Sequence, residues 1–252
     1  MLKNKINYVD IAKQWNSEKK NILKAIDKAM STGFHVGGNE ISKFENNISY
    51  ITNKKYCLGL NSGTDALTFA LYALKIKKND EVITVPNSFI ASTASIVHFG
   101  AKPVFVDVQN DQNIDPNLIE NAITKKTKAI MPVHLTGRVS EMKKILKISE
   151  KYNIPIIEDA AQSIGSRYYN KPSGSFGLFG CFSAHPLKNL NAIGDSGYLI
   201  TNNKQYYNLI KDIRNHGMTN RNKIKNYGYV SRMDNLQAAV LNYRLKNLKT
   251  II

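Results

Sequence analysis

Apolar and polar residues recur along this chain with two different periods, and the switch between them marks out its elements. Over residues 17–32, Ile22, Ala25, Ile26 and Ala29 fall at the three-and-four spacing of a helix with one buried face, with Ser17 placed to cap its start. Gly33, Gly37 and Gly38 break that pattern, and a second helix is expected over 39–50, where Ile41, Phe44 and Ile48 share a face. From residue 56 the texture changes. Short apolar runs at 56–60, 82–85, 103–107, 129–133 and 155–158 alternate with helical stretches at 64–74, 88–99, 115–122 and 138–152. Strands that are apolar throughout, each followed by a helix, belong to a sheet covered on both faces. Runs at 179–183 and 197–201 bring the count to about seven strands, and helices at 204–214 and 233–250 follow. The expectation is an α/β fold: a mostly parallel sheet of about seven strands between helices. The last helical pattern is still running at Ile252 without a closing Gly or Pro, which reads as a chain cut inside a helix.

Composition narrows the class without naming a function. The 252 residues, 42% of them hydrophobic and 21% charged, suffice for one large core. A formal charge of +16 raises nucleic acid, an anionic membrane surface or an acidic small substrate as partners. The lysines, however, are scattered among asparagines, as in Asn202-Asn203-Lys204 and Asn220-Arg221-Asn222-Lys223, and form no platform with aromatics, so nucleic acid is not expected as a partner. Cys57 and Cys181 each sit inside an expected strand and give neither a disulfide framework nor a zinc spacing. No metal is expected, and a reducing compartment is. No apolar run approaches the roughly 18 residues of a membrane span, and the first residues carry no apolar leader. The expected location is the cytoplasm, with no membrane partner.

In an open α/β sheet, ligands bind beyond the carboxyl ends of the strands. Four groups of residues fall there. Asn61-Ser62-Gly63-Thr64-Asp65 opens a helix and is either an ordinary capped turn or a phosphate cradle, in which Gly63 lets the backbone come close. Phe89, after the second strand, either packs in the core or stacks on a flat ring. Asp159, with Gln162 one turn on, either caps a helix or pairs with a cationic ring nitrogen. Ser183 and Lys188 lie in the stretch CFSAHPLKNLNAIGDSGYLIT, where a turn between two strands presents one lysine. That lysine is either an ordinary surface residue or an amine for a carbonyl carbon. Together, at successive strand ends, these are the parts that pyridoxal phosphate chemistry requires.

The segments GFHVGGNEISKFE, LNSGTDAL, PNSFIASTASIVHFGAKPVFVDV, MPVHLTGR, IPIIEDAAQSIGS, FSAHPLKNLNAIGDSGYLITN, IRNHG and SRMDNLQAAVL run in that order from about residue 33 to 245. In them the chain resembles the DegT/DnrJ/EryC1/StrS family of pyridoxal phosphate-dependent sugar aminotransferases, which have the aspartate-aminotransferase-like fold. The resemblance implies a fold type I large domain over residues 1–252, with an N-terminal helical segment and without the family's small C-terminal domain. It implies that Lys188 holds pyridoxal 5′-phosphate as a Schiff base, Asp159 pairs with the pyridine nitrogen, Gln162 bonds the ring hydroxyl and Phe89 stacks on the ring. Thr64, Asp65 and Ser183 would hold the phosphate, the first two chiefly through backbone N–H groups.

The resemblance also implies amino transfer from an amino acid, glutamate first, to a keto group of a nucleotide-linked deoxysugar, for cell-surface polysaccharide or amino-sugar synthesis. The partners implied are the sugar nucleotide, the amino-acid donor and a second copy of the chain in a homodimer with shared sites. Relatives that dehydrate sugars carry His at the place of Lys188, so the lysine favours transamination, and His185 reads as structural or phosphate-side. The family often has Gly-Tyr-Asn-Ser-Arg where this chain has Gly228-Tyr229-Val230-Ser231-Arg232. Val230 cannot give the hydrogen bond that an Asn gives across the dimer. The competing reading is a truncated member that serves at most as a cofactor-binding or dimerising scaffold.

Overall fold

The computed structural model describes residues 8–251, so the readings made on residues 1–7 and on Ile252 lie outside it. Two helices lead in. α1 (Ile11–Met30) starts six residues before the expected point, because Asp10 rather than Ser17 caps it, accepting the Lys13 N–H at 2.9 Å. α2 (Asn39–Thr52) follows as expected and buries Ile41, Phe44 and Ile48.

The strand–helix alternation then unfolds as β1 (Tyr56–Leu60), α3 (Gly63–Ala73), β2 (Glu81–Thr84), α4 (Ile90–Val97), β3 (Lys102–Phe105), α5 (Pro116–Ala122), β4 (Thr127–Ile130), α6 (Met142–Tyr152) and β5 (Ile157–Asp159). Pro155, which has no N–H to give a ladder, precedes this last strand, and regular pairing begins two residues later than the apolar run suggests. Two short strands, β6 (Arg167–Tyr168) and β7 (Lys171–Pro172), form a separate hairpin. β8 (Phe179–Ser183) and β9 (Gly197–Thr201) complete the central strands, followed by α7 (Lys204–Ile213) and a second hairpin of β10 (Met218–Asn220) and β11 (Lys223–Ile224). The single helix expected over 233–250 is two: α8 (Asn235–Leu245) and a final turn, α9 (Leu248–Ile251).

The central strands form a four-stranded sheet ordered β1-β9-β8-β5 and a three-stranded sheet ordered β3-β2-β4. Isolated parallel bridges, Ile130 to Ile156 and Val133 to Asp159, join the two between β4 and β5. Pairing is parallel for β2 with β3 and β4 and for β5 with β8, whereas β9 runs antiparallel to both β1 and β8. The reason is local. Parallel neighbours need a helical crossover, and residues 184–196 contain no helix, so β9 returns antiparallel. That same helix-free return is the loop that carries Lys188.

Both faces of the sheet are covered. α3 is apolar almost all round (Ala66, Leu67, Phe69, Ala70, Leu71 and Ala73 are buried) and packs with α7 on one side of β1, β8 and β9. α2 and α8 cover the other side, where the Phe182 and Tyr198 rings stack at 4.8 Å and Phe44 meets Tyr198 edge-on at 5.3 Å. Each such fully buried apolar side chain contributes about 1.5–3 kcal/mol relative to exposure.

Candidate active site

The carboxyl ends of β1, β5 and β8 open onto one cavity of about 390 Å³, lined by Gly63, Thr64, Phe89, Asp159, Gln162, Ser183 and Lys188 among others. These come from four separate strand–loop junctions, and the sheet order brings them together. Asp65 is the exception among the sequence-derived site residues, since it does not line the cavity. Its N–H is donated to Ser62 Oγ at 3.0 Å, which caps α3, and its carboxylate accepts the Ser231 hydroxyl at 2.7 Å.

The backbone at this end of the sheet is tightly packed. A Cβ on Gly63 would lie 2.7 Å from the Cβ of Ser183, and one on Gly197 would run into the Ser62 carbonyl. Only glycine lets β9, β8 and the first turn of α3 approach so closely. That approach leaves the positive N-terminal end of α3 facing the cavity, beside the Ser183 hydroxyl.

Phe89 is 70% exposed, so the core-packing alternative is ruled out: its phenyl ring borders the cavity with little protein over it. Asp159 is not a helix cap either, because no helix follows it. Its carboxylate accepts the Ser92 hydroxyl at 2.6 Å and the Ala161 N–H at 3.2 Å. Burial pushes the Asp159 carboxyl above its usual pKa, against the downward pull of those two donors and of the nearby His134 and Lys188 charges. Gln162 has its Oε1 occupied by the Thr136 N–H at 2.6 Å, which leaves its –NH₂ as the donor it can offer.

Lys188 lies half-buried in the same cavity, so the reading of it as an ordinary surface lysine falls. Burial lowers its pKa, and the Asp159 charge partly offsets that shift. A lysine held this way presents more free amine at neutral pH than one in water, which is what a nucleophile requires.

Several members of the site carry no plain sequence signal. Ser92, in the first turn of α4 and 1% exposed, fixes Asp159 from 67 positions away, and Ser88 in turn donates to Ser92 Oγ at 2.9 Å. The one hint is that Ser88 lies four residues before Ser92, just ahead of α4 where it follows a strand end. Ser196, also lining the cavity and 1% exposed, has a hydroxyl with no partner among the described residues. A buried, unpaired hydroxyl at a cavity wall is costly unless something polar arrives there. His185 and Asp195 complete the polar lining. Among the described residues no group of His, Cys, Asp and Glu could hold a metal ion, and no helix is long and apolar enough to cross a membrane.

The sequence model of the DegT/DnrJ/EryC1/StrS aminotransferase family matches residues 16–252. The chain is 39% identical over 241 residues to a pleiotropic regulatory protein of Geobacillus stearothermophilus, covering 95% of this chain and 65% of that one. It is 38% identical over 242 residues to UDP-2-acetamido-2-deoxy-3-oxo-D-glucuronate aminotransferase of Pseudomonas aeruginosa, covering 96% and 67%. Among solved structures, S. venezuelae DesV in complex with ketimine intermediate superposes with a TM-score of 0.94 at 34% identity, covering 97% of this chain and 66% of that one. The chain thus spans about two thirds of the length of these relatives.

Proposed function

The chain belongs to the DegT/DnrJ/EryC1/StrS aminotransferase family, and from that premise we propose that it carries pyridoxal 5′-phosphate on Lys188 and moves an amino group from an amino acid to a sugar. Glutamate is the first candidate donor, and a keto group of a nucleotide-linked deoxysugar is the acceptor. The observation that carries this reading is the presence of Lys188 and Asp159, an amine and a buried carboxylate, in one cavity at the strand ends.

The residues present suit that cofactor. The cavity holds an unpaired Ser196 hydroxyl, the Ser183 hydroxyl and the N-terminal end of α3, a set of donors for a phosphate. Gly63, Thr64 and Ser183 would hold it, while Asp65, bonded to Ser62 and Ser231, holds the turn in shape. Phe89 offers a ring face to stack on, and the Gln162 –NH₂ a donor for a ring oxygen. When bound, the cofactor supplies an electron sink for the negative charge left on carbon when a proton is removed. Asp159 keeps a proton on the ring nitrogen, and a cationic partner there adds a downward pull on its raised pKa. Ser92 fixes which way that carboxylate points. Lys188 Nζ is the nucleophile toward the carbonyl carbon and the base that takes the α proton of the amino donor.

A homodimer is part of the same proposal. Tyr227, Tyr229 and Val230 are exposed next to Ser231, which bonds Asp65 beside the cavity, and a second copy would cover them. Val230 would then face the neighbouring site without a hydrogen bond to give. Two buried, reduced thiols accord with the cytoplasm as its location.

The test is spectroscopic. Mixed with pyridoxal phosphate, the wild-type chain should develop a visible absorption band that glutamate bleaches, and Lys188→Ala should show neither. A Lys188→Ala protein with the same band and the same response to glutamate would sink the assignment.

A further inference from the structure

Neither a helix nor a strand holds Lys188. It sits in the return from β8 to β9, so contacts from outside that loop must set where its amine points. Within the loop, the Lys188 N–H bonds the His185 carbonyl at 2.8 Å and the Ala192 N–H bonds the Ala184 carbonyl at 2.8 Å, closing a neck. Asn191 Nδ2 reaches back over Lys188 to the Pro186 carbonyl at 2.8 Å. The lysine therefore stands inside a small ring tied by one carboxamide.

That carboxamide is gripped from two helices. Arg244 Nη1 on α8 donates to Asn191 Oδ1 at 2.9 Å and to the Asn191 carbonyl at 2.8 Å, with a longer bond to the Ala192 carbonyl. The rest of its guanidinium is taken by Glu18 of α1, from Nε at 3.0 Å and Nη2 at 2.7 Å. Gln14, one turn before Glu18, exchanges two further bonds with the Asn191 side chain. Gln237, seven residues before Arg244 and so on the same face of α8, accepts the Ile193 N–H at 3.0 Å. Arg244 is 3% exposed. A guanidinium buried that deeply is tolerable only when its donors are met. Here the loop carrying the lysine meets several of them.

We propose that Arg244 is a positioning residue for Lys188, holding the lysine loop through Asn191 so that the amine faces Asp159 inside the cavity. The inference rests on the reading of Lys188 as the cofactor-binding amine. The titratable groups that share the cavity with that amine are Asp159, Asp195 and His185. With the grip released, the loop no longer holds the lysine against them, and the amine moves toward water. A plain tie between α1 and α8 would change stability without changing how Lys188 titrates.

The experiment reads the lysine itself. The folded chain is treated with pyridoxal phosphate across a range of pH, and the imine that forms with loss of water is reduced by borohydride. The modified lysines are then located by peptide mass mapping. In the wild type Lys188 should label first; if it does not, the functional reading fails and this inference falls with it. In Arg244→Met and Asn191→Ala, labelling of Lys188 at neutral pH should drop severalfold, with its midpoint moving up toward that of an ordinary lysine. Arg244→Lys should not restore it, because an ammonium keeps the charge but lacks the planar fork. Should Arg244→Met fail to fold by circular dichroism, Asn191→Ala, which leaves the Arg244–Glu18 pair, decides the matter. Wild-type labelling of Lys188, in rate and pH profile, by a folded variant overturns the proposal.

Discussion

Glu158 and Asp159 are neighbours on one three-residue strand, both buried carboxylates, and the structure uses them in opposite ways. Consecutive residues of a strand point to opposite faces. Glu158 points away from the cavity into a closed polar nest, where it accepts His134 Nε2 at 2.9 Å, the Gly174 N–H at 2.8 Å and the Gly177 N–H at 2.5 Å. Lys54 bonds the Gly177 carbonyl at 2.9 Å and closes the nest from behind. Asp159 points toward the cavity with one hydroxyl and one N–H for company, and its carboxyl is driven above the ordinary range. A buried acid whose lone pairs are met is part of the scaffold. One that is under-met beside an open space is suited to a cationic ligand, the role proposed for Asp159.

The largest effect that could break this contrast is on stability. Glu158→Ala strands the buried Gly174 N–H, the half-buried Gly177 N–H and His134 Nε2, and each buried donor left without an acceptor costs about 1–3 kcal/mol. Denaturant unfolding of the cofactor-free chain should show that loss. If the variant kept wild-type stability and instead lost only cofactor binding, the two carboxylates would have exchanged the roles given to them here.

Asp159→Asn should do the reverse. Activity should fall by roughly 10²–10³-fold, as when one preorganised electrostatic partner is removed, while the cofactor-free fold gains from losing a poorly met charge. The pH dependence carries a sign. Because the folded pKa of Asp159 is raised above the ordinary 3.8, the folded state binds its proton more tightly than the unfolded chain does. That contribution is fully present below 3.8 and is lost as pH rises through the folded value. The stability of Asp159→Asn relative to wild type should therefore climb with pH across that window. A difference that is flat with pH would mean that Asp159 is as well met as Glu158.

How much of this was legible beforehand follows from how far each contact reaches. β1, β8 and β9 match the sequence reading because their apolar runs end at real turns. The start of α1 lies earlier than expected because Ser17 offers an equally good cap by residue type, whereas the true cap, Asp10, stands ahead of Ile11, Ala12 and Trp15 and acts through Lys13. The helix expected over 233–250 hid a break after Leu245, which no Gly or Pro announces. Lys188, Asp159, Phe89 and Gly63 could be picked out because each lies at a strand end, a position that pattern alone supplies. Whether Phe89 was core or exposed, and whether Asp159 capped a helix, needed the structure. Ser92 and Arg244 could not be found from pattern, since their partners lie 67 and 53 positions away and nothing local marks them beyond the Ser88/Ser92 spacing.

Ser92 also offers the finest test of the contrast. Its hydroxyl is the strongest downward influence on the Asp159 pKa, working against the burial that pushes the carboxyl up. Ser92→Ala removes that donor and leaves the rest of the site standing, so the Asp159 pKa should rise further. A single hydrogen bond to a charged group is worth about 1.5–3 kcal/mol, so cofactor affinity should weaken by roughly ten- to a hundredfold, less than for Asp159→Asn. The acid limb of cofactor binding, followed by the visible band, should shift to higher pH, because the carboxylate must be ionised to hold a cationic nitrogen. Ser92→Thr, which keeps the hydroxyl, should return the limb toward its wild-type place. An unchanged acid limb in Ser92→Ala would show that Asp159 is held ionised by other means. The openness that separates it from Glu158 would then not be what readies it for the cofactor.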